Sequence, residues 1–254
     1  CIADFAIKAG KLYWYPMILD TGIMYYRDDM SDGSLDYRDL TEQNSISYAV
    51  QGTDGEEMLC CAMEFVNLTD SVEEGIKLYK KAIEGAAVST NPVNGLLSGD
   101  AAYARAWARE SSGITKGYAP ASAKVSTRVL KKENNESYAT ARTYGFAANA
   151  ASNKKDNIKE LLNYLTDDSV QMRIIKDMGI LPLRRADYEN PLISYYSDYI
   201  EATYPLFETL KFRPNKANYT HLSRQAGTAL SEYISGEGSL EDAAEAMTRL
   251  LDRQ

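Results

Sequence analysis

Residues 11–27, KLYWYPMILDTGIMYYR, form a nearly unbroken apolar run rich in side chains that favour β structure. Such a run predicts strand, and Pro16 and Gly22 predict an interruption, so the expectation is strand, break, strand. Asp20 is the odd residue, an acid inside a stretch that otherwise belongs in a core. SISYAV at 45–50 predicts a short buried strand, QGTDGEE at 51–57 a polar loop, and MLCCAMEFV after it an apolar patch.

Helical periodicity begins at Ser71. Ser71 and Glu74 have capping-box spacing, Val72, Ile76, Tyr79 and Ile83 share one helical face, and Gly85 ends the pattern. LLSGDAAYARAWARE at 96–110 opens with a turn at Ser98-Gly99-Asp100, and its Ala-rich remainder suits strand and helix equally. Residues 131–137 predict a surface loop. Residues 138–152 predict a strand passing close beneath another element, with Gly145 permitting the approach. Residues 154–165 repeat as an amphipathic helix through Ile158, Leu161, Leu162 and Leu165, and a second helix runs from Asp168 to Gly179. GILPL predicts a short strand whose Pro182 belongs at an edge or a crossing. From 191 the pattern is helical, closing on a helix capped by Ser239 with Leu240, Ala243, Ala244, Met247, Leu250 and Leu251 on one face. Strands alternating with helices, without tandem repeats, indicate an α/β fold.

Composition narrows the chemistry. The chain of 254 residues carries 28 Lys and Arg against 36 Asp and Glu, a net charge of −8. That balance argues against a nucleic-acid partner, whose phosphates call for clustered cations. No apolar run reaches the roughly 18–20 residues of a membrane span. Cys60 and Cys61 sit in an apolar context as buried thiols, no CxxC is present, and a single histidine, His221, leaves no zinc ligand set. Phosphate-binding loops, dinucleotide fingerprints and nucleophile elbows are all missing. The Asp28–Gly33 stretch imitates a calcium loop but places Met30 where an oxygen ligand belongs. No metal or cofactor is therefore expected. Asp20, Asp54, Glu56 and Glu57 fall beside predicted strand ends, so a glycan-cleaving carboxylate pair stays open as an alternative. Tyrosine numbers 19, against 5 Phe and 2 Trp. A flat apolar ring with one hydroxyl suits sugar faces as well as core edges.

Four segments, taken in order, resemble the extracellular solute-binding proteins of bacterial ABC importers, in the carbohydrate-binding branch related to maltose-binding protein. They are GKLYWYPMILDTGIMYYRDDM, LLSGDAAYARAW, YGFAANAASNKKDNIKELLNYLTDDSVQMRIIKDMGILPLRR and ISGEGSLEDAAEAMTRLLD. The resemblance implies an α/β, type II periplasmic-binding-protein-like fold, mainly the second lobe plus a partial first-lobe segment. On that basis residues 1–19 end the first lobe and make the first hinge crossing, and 20–143 begin the second lobe. Residues 144–180 return to the first lobe, and 181–254 complete the second in helices. Family members carry a further lobe ahead of GKLYWYP, so CIADFAIKAG reads as the interior of a longer protein.

The resemblance also implies function. The expected activity is non-enzymatic: binding of an extracellular solute, a mono- or oligosaccharide, and its delivery by hinge closure to a permease in the membrane. The expected location is extracellular or periplasmic, with lipoprotein anchoring. The same fold binding a polyamine, an amino-acid-like compound or another small solute is the alternative. Carried over position by position, Asp20 faces the cleft, Gln51, Thr53 and Asp54 line its second-lobe side, and Trp107 or Tyr103 stacks on the solute. Tyr144 and Gly145 mark the second crossing, and Tyr219 is a late stacking aromatic.

Overall fold

A computed structural model describes residues 6–8, 11–33, 37, 48–51, 55–85, 87–89, 92–111, 114, 124–196 and 198–252. The strands are β1 (Ile7–Lys8), β2 (Lys11–Leu12), β3 (Tyr15–Arg27), β4 (Tyr48–Gln51), β5 (Ala87–Ser89), β6 (Tyr103–Trp107), β7 (Val125–Val129), β8 (Thr140–Phe146) and β9 (Lys211–Phe212). The helices are α1 (Gly55–Thr69), α2 (Val72–Gly85), α3 (Pro92–Ser98), α4 (Lys155–Leu165), α5 (Asp168–Met178), α6 (Arg185–Tyr188), α7 (Pro191–Tyr196), α8 (Asp198–Thr203), α9 (Tyr219–Ser235) and α10 (Leu240–Leu251).

β3 organises the molecule. It is one strand of 13 residues rather than two. Pro16 is absorbed by a register shift between Pro16 and Ile18, and Gly22 is accommodated without a break. The first half of β3 pairs antiparallel with β8, Tyr15 opposite Phe146 through Thr21 opposite Ala141. Its second half pairs antiparallel with both β6 and β7, so Ile23 faces Ala106 on one edge and Val129 on the other. β4 joins β6 and β5 in parallel, and β9 lies parallel to β8. Beyond Gly179, the predicted GILPL strand is reduced to a single bridge, Leu181 opposite Leu19.

Alternation then divides the sheet into two faces. Leu19, Ile23 and Tyr25 of β3 point with Ala104, Ala106 and Ala141 into one cluster, covered by α3, α5, α7 and α8 through Leu96, Ile175, Ile193 and Ile200. Met24, Tyr103 and Trp107 point into the other, covered by α1, α2, α9 and α10. The Ala-rich segment is strand because large residues, Tyr103, Arg105 and Trp107, alternate with alanines. α1 begins at Gly55, inside the stretch predicted as loop, and every residue from Met58 to Val66 is buried. A helix enclosed on all sides carries no amphipathic stripe, which is why its sequence gives only an apolar patch. α4 and α5 form as their periodicity predicts, but no residue of α4 is fully buried.

Candidate functional site

The face of the sheet that meets α1 also carries Asp20, Gly22, Arg105, Trp107 and Arg142, and α1 presents Glu57 and Glu64 to them. Asp20 and Arg142 are direct partners across β3 and β8. Arg142 donates from Nε and Nη2 to Asp20 Oδ2 at 3.3 and 3.2 Å, and from Nη1 to Glu57 Oε1 at 2.7 Å. The second oxygen of Glu57 accepts from the Trp107 indole N–H. Arg105 makes a two-pronged pair with Glu64, at 3.0 and 2.6 Å, and stands 4.0 Å from Glu57. Glu64 also accepts from the Tyr37 hydroxyl at 2.9 Å and the Thr140 N–H at 3.0 Å. The guanidinium carbons of Arg142 and Arg105 lie 3.4 and 4.3 Å from the centre of the Trp107 ring.

Asp20 and Glu64 are wholly enclosed, and Arg105 and Arg142 nearly so. Burying charges is costly unless each is paired and hydrogen-bonded, and here each acid meets an arginine in direct contact. Burial raises the Asp20 pKa, outweighing the opposing pull of Arg142 and Arg109.

The network reaches solvent through Arg109. Its backbone N–H donates to Asp20 Oδ1 at 3.3 Å, and its Nε lies 3.9 Å from Oδ2. Its Nη1 donates to the Tyr144 hydroxyl at 3.2 Å and its Nε to Glu110 at 3.3 Å. Tyr144 is 40% exposed. Next to it Gly145 is indispensable in shape: an added Cβ would lie 2.1 Å from the Tyr15 carbonyl and 2.2 Å from the Trp14 ring.

A second cluster flanks the first turn of α1 on its other side. Glu56 Oε1 accepts from Arg213 Nη1 at 2.5 Å and from the Tyr219 hydroxyl at 2.7 Å. Burial and the bond to Glu56 both raise the Tyr219 pKa. An open groove of about 500 Å³ runs from Gly55 and Glu56 along Thr220, Ser223, Arg224 and Gly227.

The sequence-derived candidates therefore fall in distinct places. Tyr144 and Gly145 are exposed near the end of β8, and Tyr219 is half-buried on α9 beside Glu56 and Arg213. Asp20 lies buried behind Tyr144 and Arg109, its carboxylate held by arginines. Trp107 is 2% exposed beneath two guanidiniums, and Tyr103 is 1% exposed with its hydroxyl on Ser31. Gln51 ends β4, while Thr53 and Asp54 lie outside the described residues. The arginines 105, 109 and 142 and the role of Glu57 were not anticipated. Their signal is present in the sequence: cations interrupting AAYARAWARE and YATARTYGF are the natural counterparts of an acid interrupting β3. Among the described residues, no group of three or more Cys, His, Asp or Glu side chains is placed to hold a metal ion. Nor is any helix there long and apolar enough to cross a membrane.

Solved structures share the overall fold. MalE3 of T. maritima, solved with maltose, superposes with a TM-score of 0.81 at 19% identity, over 96% of this chain and 73% of that one. The chain has the fold of the ABC-importer solute-binding proteins. A solute-binding protein of Thermotoga lettingae bound with α-D-tagatose gives 0.77 at 18% identity, over 97% and 74% of the two chains. UgpB of Mycobacterium tuberculosis, in complex with glycerophosphocholine, gives 0.79 at 14% identity, over 96% and 71%. No family model matches the sequence. The α/β, type II periplasmic-binding-protein-like architecture accounts for β3 as a strand shared between sheet segments.

Proposed function

We propose that the protein binds an extracellular solute, a mono- or oligosaccharide, and delivers it without chemical change to the permease of an ABC importer. The observation that carries this reading is the charge network: each acid beneath the surface is paired with an arginine, and the groups facing water beside it are a phenol, a guanidinium and a carboxylate at Tyr144, Arg109 and Glu110. Neutral polyhydroxyl compounds match such a mixture of donors, acceptors and ring faces. A polyamine or amino-acid-like cation loses its main anchor, because Asp20 already serves two arginines.

In this reading Tyr144, Gly145 and Tyr219, with the Gln51–Asp54 segment, touch the solute. Asp20, Trp107 and Tyr103 build the wall that holds them. Residues 1–19 and 144–180 connect to a first lobe, and the uncovered face of α4 supports that assignment, with Leu161 and Tyr164 half or more exposed. Closure is a population shift, since a solute bridging two lobes favours the closed state by its additional contacts there. The protein acts outside the cytoplasm, anchored as a lipoprotein.

The test is a thermal-shift screen of the full-length protein against maltose, α-D-tagatose, glycerophosphocholine and spermidine. A saccharide at about 100 times its Kd should stabilise by roughly 2.7 kcal/mol and raise Tm by several degrees. A shift with spermidine alone would replace the saccharide reading with the cationic one.

A further inference from the structure

We propose that Glu57 is a positioning residue for the solute site, fixing Arg142 and, through Arg142 and Asp20, the exposed pair Arg109 and Tyr144. The inference rests on the reading of that pair as solute-facing.

Glu57 occupies the first turn of α1, directly after the segment that contains Thr53 and Asp54. One carboxylate there serves two strands: Oε1 takes Arg142 of β8 and Oε2 takes Trp107 of β6. Arg105 does not depend on it, having a two-pronged bond to Glu64. Arg142 does. Its bond to Glu57, at 2.7 Å, is shorter than either bond to Asp20, at 3.2 and 3.3 Å. The guanidinium is thus held from the helix side as well as from β3. Asp20 in turn holds the Arg109 backbone, and Arg109 holds the Tyr144 hydroxyl. The path from the helix turn to the exposed ring has four contacts, the first two of them wholly or nearly buried. The neighbouring Glu56 points away from it, to Arg213 and Tyr219. Two consecutive glutamates therefore tie the first turn of α1 to both polar clusters.

The test reads side-chain resonances in the absence of solute. The Arg109 Nε–H signal is assigned by comparison with Arg109→Lys, the Tyr144 ring by Tyr144→Phe, and the Trp107 indole N–H by Trp107→Phe. In Glu57→Gln, which keeps the shape and removes the charge, all three should move while the protein still melts in one transition, and Glu57→Asp should restore part of the change. Movement of the Trp107 signal alone, with Arg109 and Tyr144 at their native positions, overturns the proposal. Should Glu57→Gln fail to fold, Arg142→Lys, which cannot span Glu57 and Asp20 with one planar group, breaks the same path, and Arg109 and Tyr144 must then shift in the folded protein; no shift overturns it. For whichever of maltose, α-D-tagatose or glycerophosphocholine binds the native protein, Glu57→Gln should weaken Kd about tenfold, as expected for one charge-assisted bond. If none binds, the solute reading fails while the resonances still decide the role of Glu57.

Discussion

A methyl group at position 22 would have to share space with a buried ion pair. The Cβ of an alanine there would lie 2.2 Å from Glu64 Oε1 and 2.7 Å from Arg105 Nη2, and neither side chain has solvent to retreat into. Gly22→Ala should therefore cost about 2–4 kcal/mol, the scale of a disrupted buried pair, measured by urea unfolding. A cost below about 0.5 kcal/mol, that of an ordinary surface change, would show that the pair moves aside freely. The sequence marks this glycine but assigns it the wrong job, a strand break, because the residues that need its space lie 42 and 83 positions further along the chain. Asp20 was legible as anomalous for the same reason that it titrates abnormally. Its pKa is raised from 3.8, chiefly by burial, so the native state binds its proton more tightly than the unfolded chain does. The stability it contributes is then fully present below 3.8 and is lost as pH rises through the raised native value. Measured from about pH 3 to about pH 8, the stability difference between wild type and Asp20→Asn should shift against the wild type as pH rises through that window. An unchanged difference would mean that Arg142 and Arg109 compensate burial in full.

At the scale of elements, the chain is most readable where one face is wet. α2 and α10 bury the residues that their period selects, Ile76 and Tyr79 in one and Ala243, Met247 and Leu250 in the other. Ser239 caps α10 as predicted, its hydroxyl accepting from the Asp242 N–H at 3.1 Å. Ser239→Ala should lower stability by about 1 kcal/mol, and Ser239→Asp should restore most of it, both measured by chemical unfolding. Equal values for all three proteins would mean that this end of the helix is frayed in solution. The reading fails at α1. Its first turn, Gly55-Glu56-Glu57, has loop composition, and the next turns are apolar on every side, so neither cue for a helix start survives. That turn is also the meeting point of both polar clusters. The polar network was consequently legible in its one misplaced acid, Asp20, while Glu57 appeared only as one carboxylate among several, because its role emerges only once α1 lies across β6 and β8.

For the molecule as a whole, β3 belongs to both hydrophobic clusters, Met24 to one and Ile23 and Tyr25 to the other. Neither helical layer can lose its sheet face without exposing the other. Leu230 of α9 and Leu181 beside Leu19 are each at most 1% exposed and sit in different clusters. Leu230→Ala and Leu181→Ala should each cost about 2–5 kcal/mol, and with no shared partner the double variant should lose roughly the sum. Both should lower one common transition, with the far-UV circular dichroism and the Trp107 emission of a Trp14→Phe background falling together in urea. Two separated transitions, each moved by only one of the substitutions, would mean that the clusters unfold independently and that β3 does not couple them. The distinction bears on the proposed function, because the hinge closure proposed above would store its bias in contacts between lobes only if each lobe moved as one body. Asp20 and Arg142 are opposite each other in the β3–β8 pairing, so a β3 that frayed apart from either cluster would loosen that pair and the Arg109–Tyr144 contact built on it.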